Sequence, residues 1–595
     1  MTKSLARTAS SAGLINRLLE QPELVSVVQS LEAPVLKRLI DHVGLADAGE
    51  LVALASVEQI ARIFDDDLWR SDRPGKDETF DADRFGLWLE VLLEAGEEVA
   101  ARRLMALDED LVTLALQKHI LVVDIDALAA QMAERQDMSG PATDEADQIE
   151  KALESSLYHE LDELRIIARD HDHWDAILSV LLAIDRENHG HLRRLLERCC
   201  FLSAEYIDDN GGLYEVLTSE QSLESDVAGE REQRREGQGY VAPSAAASFL
   251  ALARTSTLEQ LLDATERDPI TRSYFRHYAP EPRAGGASDA RNRPAAAAVT
   301  ADDTAVRVAR FMSVLRAAEV LPNVVPNVVP NVVPNEPSIE RSTEPPALPP
   351  LEGATTGTGS GRPPSPLKTA MTAMREQNPS LYEQRVRELN YLTNVLVSGC
   401  GFRGRAFRLF EAAEAVMATC DLGIETLIAR RPSGSSGRSS GDRGGSPPAP
   451  SSLVERDAVT LFTIGWHTLH HVVSLPAARA ILGVVQDRLR RRPPAVGDDT
   501  PRLLRLSRSL ARHLTAGKPW LARGDLDAME AVYGEPTTAA LKRLLDECPC
   551  LPPGWRLGTT DVGGPREATE AQCFIASSAD VAEVEALLTG LSARC

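Results

Sequence analysis

Aromatic residues make up only 5% of the 595-residue chain. That is too few for the inner faces of a sheet sandwich, so the packing has to come from leucine and alanine on helices. Cysteine is scarce as well. Eight residues, two of them adjacent at Cys199 and Cys200, exclude a disulfide scaffold and suit a reducing compartment. No uninterrupted apolar run approaches the roughly 18 to 20 residues of a membrane span, and the nearest, "VTLFTIGWHTLHHVVSL", carries three histidines. The opening "MTKSLARTASSAGLINRLLEQPE" has basic residues but no apolar core, so no secretory signal is expected there. These absences predict a cytoplasmic protein that makes no membrane contact.

Net positive charge is missing too. The chain carries −24, with −26 in residues 1–280 and +2 in residues 281–595. Such an N-terminal surface repels nucleic acid and anionic lipid, both of which depend on lysine and arginine to neutralise phosphates. Nucleic acid is therefore not the expected partner. A basic protein, or the chain's own basic segment folded against the acidic half, is the natural counterpart.

What is present is helical periodicity. In "FDADRFGLWLEVLLEAG", Phe85, Trp88, Leu89, Leu92 and Leu93 form one apolar stripe, with Asp81 and Asp83 at the positive end of the helix dipole. Ser56 and Gln59 have capping-box spacing. Short helices this close together cannot bury their stripes alone and should stack as a layered or superhelical array. The fold class read from the sequence is mainly α, in two or three helical bodies.

The organisation read along the chain is an N-terminal segment (1–19), a helical array (20–135) and an acidic helical domain (150–279). A Pro-rich linker follows (280–374), holding one helix at 301–321 and the tract "PNVVPNVVPNVVPN". Then come a helical block (375–429), a Gly/Ser-rich linker (430–452) and a C-terminal helical domain (453–595). Proline every fourth residue removes backbone donors and excludes helix or central strand in that tract. Within the acidic domain, the charged interval from Thr218 to Gly239 reads as an exposed helix or a loop. Near the C-terminus, a short extended piece precedes a helix capped by Ser578 or Asp580.

Several motifs invite chemistry. Gly399, Gly401 and Gly404 follow an apolar run, with Asp421 further on, in the pattern of a dinucleotide-binding turn. The flanking residues keep a helical period on both sides, and the linker leaves no room for further strands. The glycines are therefore read as a helix end, a turn and a close helix contact. His467, His470 and His471 stand at i, i+3 and i+4, where one helical face could present nitrogens to a metal such as zinc. No carboxylate lies in the same turn.

Other charged runs read as structural. Asp170, His171, Asp172, His173 and Asp175 mark a helix junction above Trp174. Asp65, Asp66, Asp67 and Asp72 lack the glycine and terminal glutamate of a calcium loop and read as a solvated helix end. Cys548 and Cys550, with Cys573 and Cys595 as further thiols, have poor spacing for zinc. A basic surface is better marked: Arg502, Arg505, Ser509 and Arg512 share one helical side, opposite Leu503, Leu506, Leu510 and Leu514, following "DRLRRR".

The stretches "VLKRLIDHVGLADAGELVALASVEQIARIFDDDLW", "LNYLTNVLVSGCGFRGRAFRLFEAAEAVMATCDLGIE" and "LFTIGWHTLHH" resemble a family of large, mostly helical bacterial proteins known as a domain of unknown function. The likeness would cover most of residues 20–275 and 375–590, and it implies a bacterial cytoplasmic protein with no assigned chemistry. Residues 30–135 are also similar in leucine pattern to the helical cytosolic N-domain of magnesium transporters. The function expected is a helical scaffold or adaptor for protein partners, without cofactor. The alternative is a metal-assisted enzyme built on His467, His470 and His471.

Overall fold

A computed structural model describes residues 24–124, 157–208, 219–263, 266–277, 365–430, 456–491, 500–551 and 573–593. The 301–321 helix, the Pro/Asn/Val tract and the Gly/Ser-rich linker lie outside the described residues.

The described chain is mainly helical, as its periodicity predicts. It opens with α1 (Leu24–Ser30), α2 (Ala33–Val43), α3 (Gly49–Leu54) and α4 (Val57–Asp67), followed by the short pair β1 (Trp69–Arg70) and β2 (Thr79–Phe80). Next come α5 (Ala82–Glu94), α6 (Glu97–Met105), α7 (Glu109–His119), β3 (Ile120–Asp124), β4 (Tyr158–Leu161) and β5 (Leu164–Ala168), then α8 (Trp174–Asp208) and α9 (Ser219–Gly237). The capping box at α4 is formed: Ser56 Oγ accepts from Gln59 N at 3.2 Å, and Gln59 Oε1 accepts from Ser56 N at 2.8 Å. The expected stripe of α5 is buried at Phe85, Trp88, Leu89 and Leu92. A three-stranded antiparallel sheet, ordered β3-β5-β4, is the element that helical periodicity did not announce. All these elements share one core running from Val27 to Val227.

A second core runs from Val241 to Leu591. It gathers α10 (Pro243–Thr255), α11 (Leu258–Asp263), α12 (Pro269–His277), α13 (Pro366–Gln377), α14 (Pro379–Gly399), β6 (Gly401–Phe402) and β7 (Arg405–Ala406) with α15 (Leu409–Ala429) and α16 (Ala458–Thr468). The helix then runs through a π segment (Leu469–Ser474) into α17 (Leu475–Arg491). After it come α18 (Thr500–Thr515), a 3-10 segment (Pro519–Met529), α19 (Glu530–Tyr533), α20 (Glu535–Leu544), β8 (Cys550–Leu551), β9 (Cys573–Phe574) and α21 (Ser578–Ala593).

Packing thus divides the chain near Gly239. The first core takes in α8 and α9 together with the N-terminal array, and α10 to α12 join the C-terminal elements. Two boundaries read from the sequence shift. The end of the expected linker is helical, because Ser365 caps α13 and Pro366 occupies its first turn, where a missing N–H costs nothing. The last helix is capped by Ser577, whose Oγ accepts from Asp580 N at 3.2 Å, while the Asp580 carboxylate accepts from Ser577 N at 3.0 Å.

The continuous helix Ala458–Arg491 is long and apolar enough to cross a membrane by length and composition, and half of its most apolar window is buried inside the molecule. It contains the stretch that the sequence reading singled out as the nearest apolar run and set aside for its three histidines.

The two bodies meet at a polar seam. Gly75 N donates to Ser398 O at 2.8 Å and Ser244 N to Asp77 Oδ1 at 3.1 Å. Gly239 O accepts from Asn394 Nδ2 at 2.6 Å and from the Tyr274 hydroxyl at 3.1 Å.

Candidate functional site

The Gly399–Gly404 motif is a helix end, a close contact and a hairpin turn. A Cβ on Gly399 would stand 2.7 Å from Ala246 Cβ, so the glycine lets α10 lie against the end of α14. Arg403 and Gly404 turn the hairpin with φ of 55° and 82°, the left-handed pair that a two-residue turn demands. Carboxylates anchor the hairpin: Gly401 N donates to Glu547 Oε2 and Arg403 N to Asp546 Oδ2, both at 2.7 Å. Asp421 sits inside α15 and caps a neighbouring helix, accepting from Leu367 N at 2.8 Å. No phosphate-binding turn exists here.

The acidic run Asp65–Asp67 corrects the sequence reading. Asp65 and Asp66 anchor α9 and Asp67 ties α4 to α2 and α5, where a solvated helix end was expected; Asp72 is exposed as that reading had it. Asp65 accepts from Arg234 at 2.8 and 3.2 Å, Asp66 pairs with Arg235 at 3.1 Å, and Asp67 takes Arg84 Nε, Trp88 Nε1 and Lys37 at 2.7, 2.8 and 3.2 Å. Glu78 pairs with Arg231 and Arg235 at 2.6 and 3.0 Å. Arg231 also lies over the Trp69 ring and Arg235 over the Tyr240 ring. The Thr218–Gly239 interval is therefore, over its described part, a helix docked by its own arginines.

The run at 170–175 opens α8, as expected of a junction. His173 has a positive φ of 61°, its Nδ1 lies 2.7 Å from Glu90 Oε1, and its ring occupies the space that a Cβ on Gly86 would fill. Burial pushes the Cys548 thiol well up and that of Cys550 up to about 11, so neither is a ready thiolate.

The three histidines of the C-terminal body are divided by the π segment, which begins between His467 and His470. The His467 and His471 rings stack with centroids 4.1 Å apart, and His471 Nε2 lies 3.1 Å from Arg254 O. His470 turns inward. It is 1% exposed, edge-on to Trp466 with centroids 4.7 Å apart, and 5.5 Å from the Trp520 ring. Burial holds the His470 imidazole well below its ordinary pKa, and the Arg254 charge adds to that. His467 is lowered by burial and then by His471. Among the described residues, no group of three His, Cys, Asp or Glu side chains is arranged to hold a metal ion.

Sequence reading missed what surrounds His470. Neither His470 nitrogen, nor Trp466 Nε1, nor Ser474 Oγ has a hydrogen-bond partner among the described residues, although each side chain is buried. Arg254 arrives from α10, 9% exposed, with its guanidinium carbon 4.5 Å from the Trp520 ring centroid. The i, i+4, i+8 spacing of Trp466, His470 and Ser474 was the available signal.

The basic surface is where it was read, with one change. Arg502, Arg505, Arg508 and Arg512 are exposed on α18, as are Arg488, Arg490 and Arg491 at the end of α17. Ser509 is buried with Leu503, Leu506 and Leu510, whereas Leu504 is 41% exposed among the arginines. The expected contact between this helix and the acidic half does not describe the ion pairs at Arg267. These cross in the opposite sense, from a cation of the N-terminal half to Glu388 and Asp457 of the C-terminal half. A cavity of about 20 Å³ between α13, α14 and α16, lined by Leu367, Met371, Met374 and Arg385 among others, has room for one water.

No curated protein and no solved structure matches the chain, so neither comparison supports the likeness to magnesium transporters. Residues 3–200, about the first third of the sequence, match the model of a family of unknown function, DUF6178.

Proposed function

We propose that the protein is a non-enzymatic helical adaptor whose arginine ridge on α17 and α18 docks an acidic protein surface. One observation carries this reading. The carboxylates at the centre of the first body are matched by its own arginines, whereas Arg505 and Arg508 have no carboxylate partner among the described residues. Exposed Leu504 supplies an apolar contact inside the charged field, the composition of an interface centre with a charged rim. A basic partner has carboxylates to meet as well: Glu50, Glu58 and Glu94 are exposed on α3, α4 and α5 of the first body. Cytoplasmic location and independence of membranes belong to the same reading.

The test is co-purification of the tagged full-length protein at low and moderate salt, beside an R505E/R508E/R512E variant. A stoichiometric acidic protein that leaves as salt rises and is absent from the variant supports the adaptor. Capture unchanged by the charge reversal removes the ridge from the reading, and nucleic acid in its place would convert it to a nucleic-acid interface. The alternative of a metal-assisted enzyme at His467, His470 and His471 is checked by metal content. Near-stoichiometric metal lost on His470→Ala would replace the adaptor.

A further inference from the structure

Folded proteins pair the great majority of their buried polar atoms, and groups left unpaired mark a place where water or a ligand completes the set. In the second body such groups concentrate on one helix. Trp466, His470 and Ser474 are each no more than 1% exposed, and four of their polar atoms have no partner among the described residues. The helix changes to π geometry at Leu469–Ser474, across His470 and Ser474. Single π turns inside α-helices recur at functional sites because the extra residue re-aims the side chains that follow.

Arg254 adds a charge to this patch. Its guanidinium has neither a carboxylate partner nor a side-chain hydrogen bond among the described residues, and its neighbour is the Trp520 face at 4.5 Å. Glu547 is the acid whose charge reaches Arg254, but it forms no ion pair with it and gives its Oε2 to the Gly401 N–H, while Asp546 holds the Arg403 N–H. A guanidinium and an indole N–H can only donate, and an imidazole and a hydroxyl can each donate once. A patch rich in donors with a guanidinium beside it favours a ligand that accepts hydrogen bonds and carries negative charge. The rings are closely packed, His470 against Trp466 at 4.7 Å and against Trp520 at 5.5 Å, which limits the ligand to a few atoms.

We infer that Arg254, His470, Trp466 and Ser474, beneath the partly exposed Trp520, form a binding site for a small anion, an inorganic ion or the carboxylate of a small acid. The site is independent of the arginine ridge and of the adaptor reading. Binding joins α10, the π segment and the 3-10 segment carrying Trp520, so it stabilises the second body by mass action.

The test is a tryptophan-emission titration of the full-length protein with sodium chloride, sodium phosphate and sodium acetate, each at an ionic strength held constant with a bulky sulfonate. The expected result is a saturable response to at least one of the three, which also identifies the source. The affinity should weaken at least tenfold in Arg254→Lys, which keeps the charge but loses the planar fork, and the response should vanish in Arg254→Met. A response that stays linear for all three anions, or wild-type affinity in Arg254→Met, overturns the site. Should Arg254→Met fail to fold, the wild-type melting temperature under the same titrations decides. A saturable rise specific to the binding anion supports the site, and equal melting in all salts refutes it.

Discussion

Glu388 shows how much a single side chain holds in place. Fully buried, it receives Arg385 Nη1 at 2.9 Å, the N–H of Ala458 at 2.9 Å and the Arg267 guanidinium, so that α14, α16 and the segment before α12 meet at one carboxylate. Glu388→Gln keeps the shape but leaves buried Arg385 without its counter-charge. Breaking a buried pair on one side costs about 3–5 kcal/mol, and urea unfolding should show a loss of that order. His470 gives a different test. Its folded pKa lies below the unfolded value, so the unfolded chain binds the proton more readily in the window between them. Stability is therefore complete above about pH 6.5 and is lost as pH falls below it. Melting of the wild type from pH 7.5 to 5.5 should decline more steeply than that of His470→Gln. The difference in slope should be at most about 1.4 kcal/mol per pH unit, and equal slopes would refute the assignment.

At the scale of elements, the helices were legible where local chemistry fixes them. The box at Ser56 and Gln59 and the stripe from Phe85 to Leu92 act within a turn or two, and both are formed. What depends on distant partners was not legible. Asp65 meets Arg234, which lies 169 residues away, so nothing near "FDDDLW" could announce the pairing. The crossing of α15 and α16 is a similar case. A Cβ on Gly423 would overlap the Leu461 carbonyl, and one on Gly465 would overlap the Thr419 carbonyl, a reciprocal approach that neither sequence segment reveals alone. The unpaired groups around His470 were hidden for the same reason, since the decisive Arg254 comes from α10. Gly465→Ala should force the helices apart and lower stability by about 1–3 kcal/mol, measured as a fall in urea midpoint with unchanged m-value.

On the scale of the whole molecule, two cores meet at a polar seam of backbone and side-chain hydrogen bonds, and the charges that close the first core come from its last helix. Arg231 is 2% exposed between Trp69 and Glu78, and Arg234 and Arg235 hold Asp65 and Asp66. The apolar core of this body ends at Val227, inside α9. A fragment of residues 1–239 therefore contains every described group that its core and ion pairs need, and it should melt in one cooperative transition. A fragment of residues 1–218 lacks α9. It leaves Asp65 and Glu78 without their arginines and uncovers Trp69, and each buried charge stripped of its partner costs several kcal/mol. Calorimetry and size-exclusion chromatography of the two fragments separate the outcomes. If the shorter fragment is equally stable and monomeric, the aspartate run is a surface feature after all; if it melts early or aggregates, α9 is the clasp that makes the acidic body a folding unit.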